Sequence, residues 1–486
     1  SMEAFYKNKQ VEISSTLAPL RRAGEIFELK GLSDEALTLK AKVLQSDAAN
    51  FEIETLQAVV GQNHLSAQGR VNTSGDATLS LTLASPDLST MLETLPEIDL
   101  RAKANTKNSH EKIAISELAV TFDKSDIYGD IVIQKGDKQE INVQLTSQLL
   151  DLRPFSEATE PDQKEQQATS AETAEKGAEK ENTTKNQYVF KEDPIELSVL
   201  QRIEADANLV IDHFLYDLIE LKKVKINAAV HGGQVDAKFK FDSANQGHAA
   251  GKIDLKTQED KQAVIDALVS VSDFRPKFFQ AEGISQTQVP PITISLDLQS
   301  AGASPRELAS VANGRFLLTQ GPGKIKSNAL GKVSGDILSQ LFSSLNPFAK
   351  HEEFSNWECT VLNVNLVDGL ADINGMLAQG EKVMIVGGGN IDLKTEKLNI
   401  EFNTKPRKGV GISADMFVTP FVKVKGTLAG PSVGLNEKGT LLTGGAAVAT
   451  GGLSLLVKGL FDRATAEGDK CKKAMEVAGQ HTAYEF

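Results

Sequence analysis

Short runs in which apolar and polar residues alternate recur along most of this chain, and no other feature restricts its fold as much. Leu79, Leu81 and Leu83 alternate with Ser80 and Thr82, and the same period of two returns at Ile141, Val143 and Leu145 and at Ile292, Ile294, Leu296 and Leu298. Side chains two apart on a strand share a face, so each run writes one apolar face and one wet face. Few helical patterns are available to cover the apolar side, which must then be hidden against itself or against a ligand.

Composition narrows this further. Of 486 residues 40% are hydrophobic but only 6% aromatic, which suits several hundred residues of ordered structure with few large core anchors, and so an extended β architecture more than one compact globule. A formal charge of -13, with no run of Lys and Arg interleaved with aromatics, argues against a nucleic-acid partner. Cys359 and Cys471 are the two cysteines, either two buried thiols or one disulfide. The chain opens Ser1, Met2, Glu3 and is strand-like by Val11, Glu12 and Ile13, without a signal peptide or an apolar span. This start reads as a trimmed one with Ser1 left over from a tag, so that any membrane anchor would lie upstream.

Five segments are expected. Residues 1–155 read as strand after strand, broken by turns such as Ser74-Gly75-Asp76 and Lys135-Gly136-Asp137. Within them, Leu56 to Leu83 and Leu118 to Leu145 look like weak repeats, each containing a Gly (Gly69, Gly129), a Gly-Asp turn and a closing alternation, and each leading into a possible short helix near Pro86 or Pro154. Stacked units of one type suggest a solenoid-like body. Residues 156–190, rich in Glu, Lys, Ala, Gln and Thr, read as an acidic disordered loop or, in the alternative, an exposed charged helix over Ala174 to Lys180. Strands resume in 191–300 and continue in 301–438. Asp260 to Val269, Pro305 to Asn313 and Asn328 to Phe342 read as helices, the second with Ser304 as N-cap. Residues 439–486 read as a helical cap, whose Gly- and Ala-rich stretch Thr440 to Phe461 would plug the sheet or lie at a membrane interface.

Catalytic constellations are matched only in part. His110-Glu111 and His351-Glu352 lack the second His of a zinc-protease helix, since Ala114 and Ser355 stand there. Gly387-Gly388-Gly389 opens no helix and reads as a turn or bulge, and Gly331-Lys332 lacks the remainder of a phosphate loop. No nucleophile elbow is present. The chain is therefore expected not to be an enzyme and to carry no metal or cofactor.

One region carries a signature. It runs from the helix Pro305 to Asn313 and Gly314, through Gly321-Pro322-Gly323, Cys359 and Asp368-Gly369, to Gly389-Asn-Ile391-Asp392-Leu393, Gly426-Thr-Leu and Pro431. This order resembles the C-terminal domain of the AsmA family of bacterial envelope proteins. A looser likeness spans Ala205 to Leu255, with His231-Gly232-Gly233 in the place of a Tyr-Gly-Gly turn. The resemblance implies a mainly β, elongated, curved antiparallel sheet that forms a hydrophobic groove, with a few short helices and a helical C-terminal segment. It implies a periplasmic body held in the inner membrane by an N-terminal helix, which this sequence lacks, and a bridge-like lipid carrier tied to the outer membrane. The same compartment implies that Cys359 and Cys471 pair.

The groove lining expected on this basis is Leu79, Leu81, Leu83, Ile141, Val143, Leu145, Phe239, Phe241, Ile292, Ile294, Leu296, Ile391 and Leu393. Its partners would be phospholipids, and outer-membrane or other envelope proteins at its ends. The same alternation would equally furnish the dry core of a β-sandwich. The competing function is an assembly factor that offers strand edges to outer-membrane protein chains.

Overall fold

The computed structural model describes residues 2–7, 10–19, 31–92, 95–156, 188–217, 219–244, 247–258, 262–279, 283–326, 354–381, 383–406, 421–436 and 471. The chain divides into two compact units. One comprises Ser1–Glu179 and Val199–Gly233, the other Lys180–Ser198 and Gln234–Phe486, so the division falls inside the segment expected at 191–300.

The described strands of the first unit are β1 (Met2–Lys7), β2 (Gln10–Pro19), β3 (Ala36–Gln45), β4 (Asn50–Val60), β5 (Asn63–Asn72), β6 (Ala77–Ser85), β7 (Leu100–Asn108), β8 (Lys112–Phe122), β9 (Ser125–Gln134), β10 (Gln139–Asp151), β11 (Ile203–Tyr216) and β12 (Ile219–His231). Each pairs with the next in an open ladder, antiparallel throughout except at one place. There β10 and β11 run parallel, with Val143 opposite Ala207. Parallel neighbours cannot be joined by a tight hairpin and need a long crossover, and the acidic stretch lies in this one.

The two weak repeats share a backbone device. In β4 two residues between Ile53 and Leu56 face one residue of β5, and in β8 two between Ile115 and Leu118 face one of β9. Beside these bulges stand Gly69 and Gly129, with φ of +147° and +154°. A Cβ at Gly69 would fall 2.0 Å from the Thr78 carbonyl oxygen, and one at Gly129 would fall 1.9 Å from that of Gln144, so only glycine fits. Each repeat then ends in a short turn of helix, Leu88–Thr90 capped by Asp87, or Arg153–Ser156.

The second unit holds β13 (Gln234–Ser243), β14 (His248–Thr257), β15 (Ala263–Phe274), β16 (Ile292–Gly302), β17 (Asn313–Gln320), β18 (Gly323–Lys326), β19 (Phe354–Val367), β20 (Leu370–Gly380), β21 (Val383–Asp392), β22 (Lys397–Pro406), β23 (Phe421–Thr427) and β24 (Pro431–Asn436). They form an antiparallel ladder in chain order, with β17 and β18 both pairing with β19. The helix Pro305–Ser310 is capped by the Ser304 side chain, which accepts from the Glu307 N–H, and joins β16 to β17.

Several expectations change. Of the helix expected over Asp260 to Val269, the residues from Ala263 are strand: β15 starts there and pairs on both sides, and its β-branched Val264, Ile265, Val269 and Val271 suit that setting. The helix at 305 ends at Ser310, and Asn313 already opens β17. Of the two readings for Gly387 to Gly389, the bulge is the one found: they lie within β21 opposite a bulge of β20. The sheet is not wholly antiparallel, because of β10 and β11. The helical segment expected at 439–486 is not supported: of its residues only Cys471 is described, and the helix read at 328–342 and the acidic residues 157–187 also lie outside the described residues.

The described end of the acidic stretch is built structure. Val189 and Phe190 donate their backbone N–H groups to the two carboxylate oxygens of Glu396, each at 2.7 Å, and Ile195 donates to the Ala303 carbonyl at 2.8 Å. Arg306 stacks 3.6 Å above the Tyr188 ring and pairs with Glu192.

Candidate functional site

Cross-strand partners share a face, so reading the register across a ladder lists the side chains that line it. In the first unit one such row is Val11, Val43, Ile53, Gly69, Leu79, Thr106, Ile115, Ile131, Val143, Ala207 and Ala228. The flanking rows bring Ala67 to Leu81, Leu65 to Leu83, Gly129 to Leu145 and Ile133 to Ile141. The six expected lining residues of this unit therefore share one face, and all six are half-buried. One end of that face is covered: Phe122, which falls on it by register and is 7% exposed, meets Phe155 of the helix Arg153–Ser156 edge to face at 5.9 Å between ring centres.

The opposite face is wet. Ser14, Lys40, Gln57, Ser66, Thr82 and Lys103 form one of its rows. Ser80 donates to Asn105 at 2.6 Å, Asn105 donates to Glu117 at 2.8 Å, and Lys42 pairs with Glu54 at 2.6 Å. The hydrogen bond from Lys138 holds the Glu204 carboxyl below its usual range, and Glu204 followed by Asp206 draws the His231 imidazole upward. Glu204 and Asp206 alternate with Ala205 and Ala207, so this charge stands off the apolar rows.

The second unit repeats the pattern with larger side chains. One row reads Phe239, Gly251, Val269, Leu296, Phe316, Val364, Ile373, Gly389, Ile400, Val424 and Val433. Its neighbour reads Phe241, Ala249, Val271, Ile294, Leu318, Leu362, Met376, Gly387, Phe402 and Val422. Strands lie about 4.8 Å apart, so the ten spacings of the Phe239 row carry an unbroken apolar strip about 48 Å along the ladder. Ile391 lies on the same face, opposite Ala371 and Leu398. Ile292 shares it too, opposite Gln320. Leu393 falls just past β21, where its N–H donates to the Gly369 carbonyl at 2.9 Å, and belongs to neither row.

Sequence reasoning missed much of this lining, including Ile115, Ile131, Phe316, Val364, Ile400 and Val424. Their signal was present: Leu398, Ile400 and Phe402 alternate with Asn399 and Glu401, and Val422 and Val424 with Lys423. Sequence reasoning also failed to see that the second unit buries part of its other face. Leu317, Cys359, Val361, Leu377 and Met384 cluster there with Cys471, and Cys359 is 1% exposed. Cys359 and Cys471 form a disulfide with an S–S distance of 2.05 Å across 112 residues. Elsewhere the second unit keeps a wet outer face as the first does: Lys252 pairs with Asp236 and Asp254, and Lys423 with Glu401.

Among the described residues no group of three His, Cys, Asp or Glu side chains is placed to hold a metal ion, and no helix is long and apolar enough to cross a membrane. No curated protein and no solved structure matches the chain. A family model does, over residues 79–376; it opens at Leu79, the first of the alternating runs, and closes at Met376, short of the Gly387 to Pro431 motifs. With more than half of its length inside that match, the chain belongs to the AsmA family.

Proposed function

We propose that this protein handles lipid by sheltering phospholipid acyl chains along the apolar rows of its β-ladders, and that it works by binding, without catalysis. The observation that carries the reading is the continuity of those rows: strand after strand presents an uncharged side chain or a glycine at the same level. Each methylene moved from water onto such a strip contributes about 0.8 kcal/mol, so a chain can be held without any polar pocket. It can also slide, because one position along the strip resembles the next.

AsmA family proteins are associated with the envelope, which supports a periplasmic location. In this reading a segment upstream of the chain anchors it to the inner membrane, and its lipid traffic serves the outer membrane.

The test is lipid extraction and mass spectrometry on gently purified protein. Phospholipid should co-purify with the wild type, and Leu81→Asp or Val143→Asp should lose it while remaining folded by circular dichroism. Unchanged lipid content in both variants would remove the lining from those strands. Absence of lipid from the wild type, together with photo-crosslinks from strand edges to unfolded barrel proteins, would turn the reading to chain assembly.

A further inference from the structure

The apolar strip of the second unit does not stay open along the strands. Beyond the row of Ile294, Leu318 and Met376, the next row is Ile292, Gln320, Thr360, Ala378 and Ile385. Polar groups interrupt it: Thr360 donates its hydroxyl to Gln320 Oε1 at 2.8 Å, and Gln320 donates to the Gly321 carbonyl at 3.0 Å.

Over this end sits the β15–β16 loop. Its Phe279, Ile284 and Val289 are buried in one cluster with Ile325, Trp357, Ala378, Ile385 and Phe402. Val289 is 0% and Trp357 5% exposed, whereas Leu296, Phe316 and Val364 further along the strands are only half-buried. The loop is braced from within and from below. Gln286 donates its side-chain amide to the Arg275 carbonyl at 2.7 Å, and the Arg275 guanidinium donates to the carbonyls of Thr287 and Val289. Gly321 donates to the Pro291 carbonyl at 2.8 Å, and a Cβ at Gly323 would fall 2.5 Å from the Pro290 nitrogen, so the Gly-Pro-Gly turn is shaped to seat the loop.

We propose that the described parts of this loop, Arg275 to Phe279 and Gly283 to Pro291, are a fixed stop on the acyl-chain path: chains lie against the Phe316 row and end before Trp357. This rests on the lipid-handling reading above. The stop occupies with its own apolar side chains the space a lipid would need, and the Gln320–Thr360 pair makes the floor beneath it a poor substitute for the strip.

The chain has one tryptophan, Trp357, which serves as a reporter. The full protein is titrated with phosphatidylglycerol carrying brominated acyl chains, which quench indole on contact, while bound lipid is counted by native mass spectrometry. Wild-type emission should stay unchanged although lipid is bound. Phe316→Trp in a Trp357→Phe background should lose most of its emission under the same load. Quenching of wild-type Trp357 to the same extent would overturn the stop. Phe279→Ala combined with Ile284→Ala should let bromine reach Trp357; if that variant does not fold, the comparison of the two tryptophan positions still decides. Absence of bound lipid from every variant would instead defeat the lipid-handling reading, and the stop with it.

Discussion

The two units write the same alternation and use it differently. In the first, apolar side chains occupy one face of a single layer, the other face is a lattice of hydroxyls, amides and ion pairs, and even Leu65 and Ile226 on the apolar side remain 39% and 37% exposed. In the second, the apolar face is roofed at one end by Phe279, Ile284 and Val289, and Cys471 closes the part of the back face around Cys359. A binding surface must keep its apolar area available, whereas a core must not. The first unit buries its apolar face only toward one end, at Val60, Phe122, Ile211 and Val224, and the second secures its stability around the stop and the disulfide.

Matched substitutions should separate the two most sharply. Val422→Asp places a carboxylate at a fully buried position and should cost about 4–5 kcal/mol, while Leu81→Asp, on a half-buried strip, should cost about 1 kcal/mol. Chemical denaturation read by circular dichroism would measure both, and equal losses would mean that the first unit has a dry core after all. Next in size is the disulfide. On the chain-entropy model, closing about 100 residues contributes about 4–5 kcal/mol, and measured bridges more often give 2–4. Cys359→Ser or added reductant should therefore lower the unfolding transition reported by Trp357 and leave exchange protection of β4 to β10 unchanged.

The smallest effect belongs to the first unit alone. Arg153, by its hydrogen bond, holds the Asp151 carboxyl below the usual range at a site where Asp151 is buried. A carboxyl whose folded value lies under its unfolded one stabilises the fold above the ordinary aspartate range near pH 4, and that contribution is lost as pH falls through the folded value. Denaturation midpoints taken downward from pH 5 should thus fall more steeply in the wild type than in Asp151→Asn. Because Arg153 is half exposed, solvent screening keeps the difference small.

What could be read from the sequence was what period two writes. Leu79, Leu81 and Leu83 announce a face without help from any distant residue, and Gly69 and Gly129 betray their bulges by recurring in the same context. The β15 strand was lost because Ala263, Ala267 and Leu268 are also good helix formers, and the outcome was decided by strands β14 and β16 on either side. The stop was illegible for another reason: Phe279, Ile284 and Val289 are spaced by no period, and only the fold brings them over Trp357. The parallel join of β10 to β11 has no local sequence mark either, since register across a 51-residue connection is fixed by the finished ladder.

The carboxylate of Glu396 has a consequence for anyone dividing this protein. Glu396 is 0% exposed, and its oxygens take the N–H groups of Val189 and Phe190, residues that precede β11 in the chain although they fold with the second unit. A fragment cut cleanly at Gln234 would look like a self-sufficient piece and would be born with an interior anion stripped of its two donors. The separable module is discontinuous, and a faithful excision must carry a graft of residues 188–197.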